Sequence, residues 1–195
     1  TIMKKLFLAV VAMMVSAATF AQNEAGQITI QPKVGVNIAN ITDAVGADPR
    51  IGLAAGAEFE YGLTDNIGLS AGVLYSMQGA KASEESVDYT LKLDYLNVPI
   101  LANFYVAKGL ALKLGVQPGF KLSSKVKGEA SGVTAELEVE DGVKSIDLSI
   151  PVGLSYQYQN IVFDARYNWG VTKIIDDADS KNSVFQITVG YKFSL

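Results

Sequence analysis

Ile28-Thr29-Ile30-Gln31-Pro32-Lys33-Val34-Gly35-Val36-Asn37-Ile38 is the stretch on which the fold turns. Every even position except Pro32 carries Ile or Val, and every odd position is polar or glycine. Successive side chains of a strand point to opposite faces, so this period-two pattern makes a ribbon with one apolar and one polar side. A helix would scatter the same residues around its circumference. Outward from this stretch the pattern recurs at 51–63, 67–77, 96–106, 110–122, 146–158, 161–171 and 185–195. Eight strands are expected.

Two architectures accept eight such ribbons. A soluble barrel or sandwich hides the apolar faces at its centre and wets the polar ones. A membrane barrel turns the apolar faces to lipid and encloses the polar ones. The connections decide between them. Thr64-Asp65-Asn66, Ala107-Lys108-Gly109 and Gln159-Asn160 are tight, the links 40–49, 79–86, 127–145 and 173–182 are longer, and the two kinds alternate. A membrane barrel has short periplasmic turns and longer external loops, whereas a sandwich has no reason to obey that parity. Aromatic residues sort the same way. Phe59, Tyr61, Phe104, Tyr156, Tyr158, Phe163, Tyr191 and Phe193 fall beside the short turns, and Tyr75, Tyr167, Trp169 and Phe185 toward the long links. Two interfacial girdles would look like this. The expected fold is an all-β, eight-stranded, antiparallel, up-and-down transmembrane β-barrel.

A chain of 195 residues suits one domain. Its opening, Met3-Lys4-Lys5, then an apolar run at 6–15, then small residues from Ser16, reads as a secretory signal peptide. Cleavage is expected after Ala21, with Thr19 as the small residue before it, giving a leader at 1–21 and a barrel domain at 22–195. Past the leader no apolar run approaches the roughly 20 residues of a membrane helix, although mean hydropathy is +0.24. The expected location is the outer membrane of a Gram-negative bacterium. Of 16 basic and 20 acidic residues, Lys4 and Lys5 leave with the leader, so the barrel carries 14 against 20, a net of −6. That is no footprint for nucleic acid. The chain has neither His nor Cys. The commonest general base, the thiolate nucleophile and the preferred soft metal ligands are therefore missing, and no enzyme, cofactor or metal centre is expected.

An eight-stranded barrel has an interior just wide enough for side chains. The polar faces would fill it with Lys33, Glu58, Glu60, Lys113, Lys121, Asp147, Asp164, Arg166 and Lys192, beside Gln31, Gln117, Gln157, Asn168 and Gln186. Five positive and four negative charges nearly cancel, and enclosed charges must pair. A structural ion-pair plug is expected, with a narrow gated pore as the alternative. Three prolines, Pro99, Pro118 and Pro151, fall inside strands, where a missing N–H argues for bulges or strand ends. The fourth segment also changes phase: Tyr89, Leu91, Leu93 and Tyr95 share one parity, and the apolar set from Leu96 has the other. A bulge near Tyr95-Leu96 is expected. From residue 87 to 106 the chain would span roughly 45 Å, well beyond an apolar band of about 25 Å. Its upper part should project from the membrane, joined by the alternating Val133, Ala135, Leu137 and Val139.

Asp94-Tyr95-Leu96-Asn97-Val98-Pro99-Ile100-Leu101 resembles the Tyr-Leu-x-(Ile/Val)-Pro-(Ile/Leu)-Leu segment of the outer-membrane β-barrel family of Bacteroidetes, the PorT-like group. Pro32-Lys33-Val34-Gly35-Val36-Asn37, Leu74-Tyr75-Ser76-Met77-Gln78-Gly79-Ala80 and Gly190-Tyr191-Lys192-Phe193 resemble it too. The resemblance implies an eight-stranded outer-membrane barrel and implies little about activity. PorT itself is linked to protein secretion, a role no residue here singles out. Thr188, Gly190, Phe193 and Leu195 at the end of the chain resemble the signal read by the barrel-assembly machinery, with Leu195 where an aromatic is usual.

The functional expectation is a structural or interaction barrel with acidic external loops, carried by Glu129, Glu136, Glu138, Glu140 and Asp141 and by Asp176, Asp177 and Asp179. The last three could offer carboxylates to calcium, but they lack the glycine and the twelfth-position glutamate of a calcium hand. The partners expected are outer-membrane lipid, the assembly machinery during biogenesis and an envelope protein, with the barrel itself a monomer. A subunit of a secretion or envelope complex is the alternative.

Overall fold

The computed structural model describes residues 24–42, 46–84, 87–130, 133–139, 142–175 and 179–195. The leader and its cleavage point after Ala21, and the acidic residues Glu140, Asp141, Asp176 and Asp177, lie outside the described residues. Eleven strands follow one another: β1 (Ile28–Ile41), β2 (Ala47–Thr64), β3 (Ile67–Glu84), β4 (Val87–Asn97), β5 (Ile100–Ala107), β6 (Leu110–Ala130), β7 (Val133–Glu138), β8 (Ile146–Tyr158), β9 (Ile161–Gly170), β10 (Asn182–Tyr191) and β11 (Phe193–Ser194). They make one antiparallel sheet that closes on itself where β1 pairs β10 from Lys33↔Gly190 to Ile41↔Asn182. β4 and β5 continue one another, as do β10 and β11, and among the described strands β7 pairs only with β6. The ring therefore has eight staves, with closure satisfying every edge inside it.

The faces are those of a barrel in hydrocarbon. Along β9, Phe163 is 52% exposed and Trp169 61%, while Asp164 and Arg166 between them are each 1% exposed. In β1 the even residues Val34, Val36 and Ile38 lie outside and Lys33 and Asn37 inside. Two-residue turns at 65–66, 108–109 and 159–160 join neighbours at one end, with Gly109 at φ +81°. The eight aromatics beside these turns and the four near the other rim all belong to outward-facing positions.

Three expectations need correction. The link at 79–86 is not a loop: β3 runs to Glu84 and β4 starts at Val87, with Lys81↔Thr90 and Ser83↔Asp88 in register. Together with β6 and β7 these strands extend beyond the rim as a sheet, which β2 joins at its base through Ala47↔Ala82 to Pro49↔Ala80. Nor do Pro118 and Pro151 make bulges or strand ends. Pro118 and Pro151 sit inside β6 and β8, and pairing resumes in the same register on both sides of each. Pro99 meets the strand-end alternative: it stands in the gap between β4 and β5, where Asn97↔Leu74 and Ile100↔Ala71 keep one register. Two of the prolines are seen to accept through their carbonyls: Pro99 from the Gly72 N–H at 3.0 Å and Pro118 from the Val98 N–H at 2.8 Å. Only the donor is lost, and a single missing bond does not shift a ladder held from both sides.

The phase change, too, has another cause. β4 keeps its phase: Leu93, Tyr95 and Asn97 all face inward, as Leu101, Asn103 and Tyr105 do farther along. An irregularity does lie between Asp94 and Tyr95, but the extra residue is Leu122 of β6, opposite that step. What inverts is the surroundings. Below the rim the outside is hydrocarbon and the inside polar; above it the outside is water. Leu93 and Tyr95 therefore turn inward onto Ile41, Ala80 and Ile174, forming an apolar cluster across the upper mouth.

Candidate functional site

The inward faces of β1, β2, β6 and β9 bring five charged residues together in the middle of the ring. Lys33 Nζ lies 2.8 Å from Glu58 Oε2 and 3.5 Å from Asp164 Oδ2. Lys113, from the far wall, reaches Asp164 at 2.8 Å and Glu58 at 3.5 Å. Arg166 donates from Nε to Asp164 Oδ1 at 2.8 Å and from Nη2 to Asp164 Oδ2 at 2.7 Å, a forked pair. The same Nη2 lies 2.8 Å from Glu58 Oε1. Each carboxylate thus touches all three cations, and the charges are buried. Both carboxylates and Lys113 bridge strands that are not neighbours in the ring, so the pairs cross the lumen.

Below this group, toward the short turns, Lys192 Nζ lies 3.4 Å from Glu60 Oε2 and donates to Tyr105 Oη at 3.0 Å. Tyr105 Oη in turn donates to Glu60 Oε1. Above it, amides and hydroxyls link up: Gln186 Nε2 donates to Asn37 Oδ1 at 2.9 Å, and Asn37 Nδ2 to Ser76 Oγ at 2.9 Å. Higher still comes the apolar cluster of Ile41, Leu93, Tyr95 and Ile174.

Of the nine charged residues expected in the lumen, seven fall in these two groups. Asp147 and Lys121 do not. Asp147 accepts from Thr172 at 2.7 Å and Asn182 at 2.9 Å near the upper rim, and Lys121 donates to the Val143 carbonyl at 2.6 Å. Tyr105 and Arg50, the latter bonded to the Gln78 carbonyl, escaped the reading. Tyr105 shares its parity with inward Asn103 and could have been found. Arg50 falls between the link at 40–49 and the alternating stretch that opens at 51, on neither pattern.

The acidic residues taken as loop charges are also placed differently. Glu129, Glu136 and Glu138 belong to strands, with Lys127–Glu129 at 2.9 Å, Lys92–Glu136 at 2.6 Å and Lys125–Glu138 at 3.6 Å on the outer face of the projecting sheet. Hydrogen bonding from Lys92, with help from Lys125, holds the Glu136 carboxyl below the usual carboxylate range. Asp179 pairs with Lys173 at 2.6 Å and is lowered likewise. At the end of the chain Thr188 points inward, and Phe193 and Leu195 are exposed. A Cβ on Gly190 would stand 2.7 Å from Gln31 Nε2. Among the described residues no group of three or more acidic side chains is arranged to hold a metal.

Residues 20–176 match the family described as outer membrane protein beta-barrel domain. No curated protein matches the chain at a significant level. Among solved structures, the attachment invasion locus protein Ail of Yersinia pestis is similar at a TM-score of 0.54 and 20% identity, over 87% of this chain and 99% of Ail. Neisserial surface protein A is similar at a TM-score of 0.50 and 15% identity, over 85% and 97%. At such identities the likeness shows the fold, a small barrel of the Gram-negative outer membrane. The apolar belt is the surface that meets outer-membrane lipid.

Proposed function

We propose that this chain, which belongs to the outer membrane protein beta-barrel domain family, is a barrel of interaction type that carries nothing through its lumen and works at the cell surface. The observation that supports the closed lumen is the crossing of its middle by Lys33, Glu58, Lys113, Asp164 and Arg166, with the apolar cluster in series above. Three cations share two carboxylates at 2.7–3.5 Å. A permeating ion would have to part charges that have little water to return to. The residue types support a non-enzymatic role, since no His or Cys is present. The surface role is supported by the projecting sheet, which the barrel does not need for closure.

Several finer assignments go with this reading: a leader ending at Ala21, an assembly signal in Thr188, Gly190, Phe193 and Leu195, a monomeric barrel, and kinship with the PorT-like group through the Tyr95–Leu101 segment. Planar-bilayer recording of the purified chain tests the closed lumen. No steady conductance is expected, and a large stable one refutes the reading.

A further inference from the structure

Among the described residues the projecting sheet ends in a strand with no partner on its outer side, and its hydrogen-bonding pattern can be worked out. The Val139 N–H donates to the Ser124 carbonyl at 3.0 Å, and the β6–β7 register runs unbroken from Lys125↔Glu138 to Ala130↔Val133. In an antiparallel pair, alternate residues direct both backbone groups to the same neighbour. Val133, Ala135 and Leu137 therefore bond β6, while Thr134, Glu136 and Glu138 aim their N–H and C=O groups away from it. All six residues of β7 are exposed. The edge is two-sided: Val133 and Leu137, 72% and 71% exposed, lie on one face, and Glu136 and Glu138 on the other.

We propose that β7 takes up an extended polypeptide segment of a partner protein, one that alternates basic and apolar residues, as an added strand. This deepens the surface-interaction reading and rests on it. The backbone supplies the pairing, and the two faces supply the selection. Basic side chains would lie opposite Glu136 and Glu138, and apolar ones opposite Val133 and Leu137, at the spacing of directly opposed residues. The column next to the edge is acidic, while the lysines that pair with it, Lys92 and Lys125, stand on the inner strands. A second copy of the chain fits less well. Registers that set apolar against apolar across a two-fold axis also set the glutamate column against itself, and like charges directly opposite are destabilising.

The test uses the full chain in nanodiscs of zwitterionic lipid and fluorescent peptides of about eight residues, the length of an ordinary strand. One alternates Lys with Val, and one alternates Glu with Val. Empty nanodiscs correct for binding to lipid. The Lys/Val peptide is expected to bind saturably, at least tenfold more tightly than the Glu/Val peptide. Thr134→Pro removes an outward N–H and no bond to β6, and Glu138→Lys reverses an exposed charge; each should weaken binding tenfold or more. Unchanged heat-modifiability on gels will show that both variants fold. The proposal is overturned if the Lys/Val peptide fails to saturate, if Thr134→Pro leaves its binding unchanged, or if mass measurement finds β7 closed by a second copy. None of these results bears on the closed lumen, which conductance alone decides.

Discussion

Glu58 and Asp164 each hold three cations, so removing one carboxylate leaves Lys33, Lys113 and Arg166 against a single anion in a buried site. Breaking a buried ion pair from one side costs about 3–5 kcal/mol, because the surviving charge cannot be solvated. Glu58→Gln keeps the shape and removes the charge, and it should lose stability in that range in urea titrations of the micelle-bound protein. Lys127→Ala, which removes one end of a surface pair with Glu129, should change stability by less than about 1 kcal/mol. Equal losses for the two would mean that the central group is wet and loosely held. Tyr105→Phe is a finer probe. It deletes the hydroxyl that donates to Glu60 and accepts from Lys192 and should cost about 1–3 kcal/mol, the usual penalty for leaving buried partners unmet.

The strands show where reading by period succeeds and where it stops. Alternation exposed the eight staves because each is read against hydrocarbon on one side and a polar interior on the other. It misread the top of β4 because the rule that apolar means outward holds only at membrane depth. Leu93 and Tyr95 obey the same burial physics above the rim, with inside and outside exchanged. The lumen residues were legible for the same reason as the strands, by parity, but which charge meets which was not. Asp164 reaches Lys113 through the stagger of strands far apart in sequence, and no local spacing records it. The environment argument makes a prediction within one stave. Ile100→Arg, on the outer face in the middle of the apolar belt, should cost about 2–4 kcal/mol, as basic side chains do near the bilayer midplane. Thr90→Arg, also on the outer face but above the rim, should stay within about 0.5 kcal/mol. Refolding equilibria in lipid vesicles will measure both, and similar penalties would mean that the belt extends over the projection. The projection has its own acid limit. The lowered Glu136 carboxyl means that its pairing with Lys92 and Lys125 stabilises β7 above the ordinary carboxylate pKa of about 4.3, and that this contribution disappears as pH falls through the depressed value. Amide protection in β7, taken relative to the intrinsic exchange rate at each pH, should therefore fall in acid before that of β9, whose ladder lies within the barrel.

For the molecule as a whole, the closed lumen we propose would place two unlike barriers in series along one axis. The ion-pair group in the middle would block by charge and by volume. The buried cluster of Ile41, Leu93, Tyr95 and Ile174 above it would block by excluding water, since none of these side chains can replace an ion's hydration shell. In series, the larger resistance sets the current, so opening either barrier alone should accomplish little. Replacing Glu58 and Arg166 together by Ser removes one charge of each sign from the middle and leaves the upper mouth dry. Replacing Leu93 and Ile174 by Ser wets the mouth and leaves Lys33, Glu58, Lys113, Asp164 and Arg166 in place. Each pair of changes should give bilayers as quiet as those with the parent chain, and the fourfold variant should give discrete, small openings. Heat-modifiability of all three would show that they remain barrels. If the Leu93/Ile174 variant alone conducts, the central charges do not close the lumen and the ring is a pore with a single apolar gate. If the fourfold variant stays silent, the remaining polar side chains fill the lumen by bulk, and the charges serve only to hold the staves together.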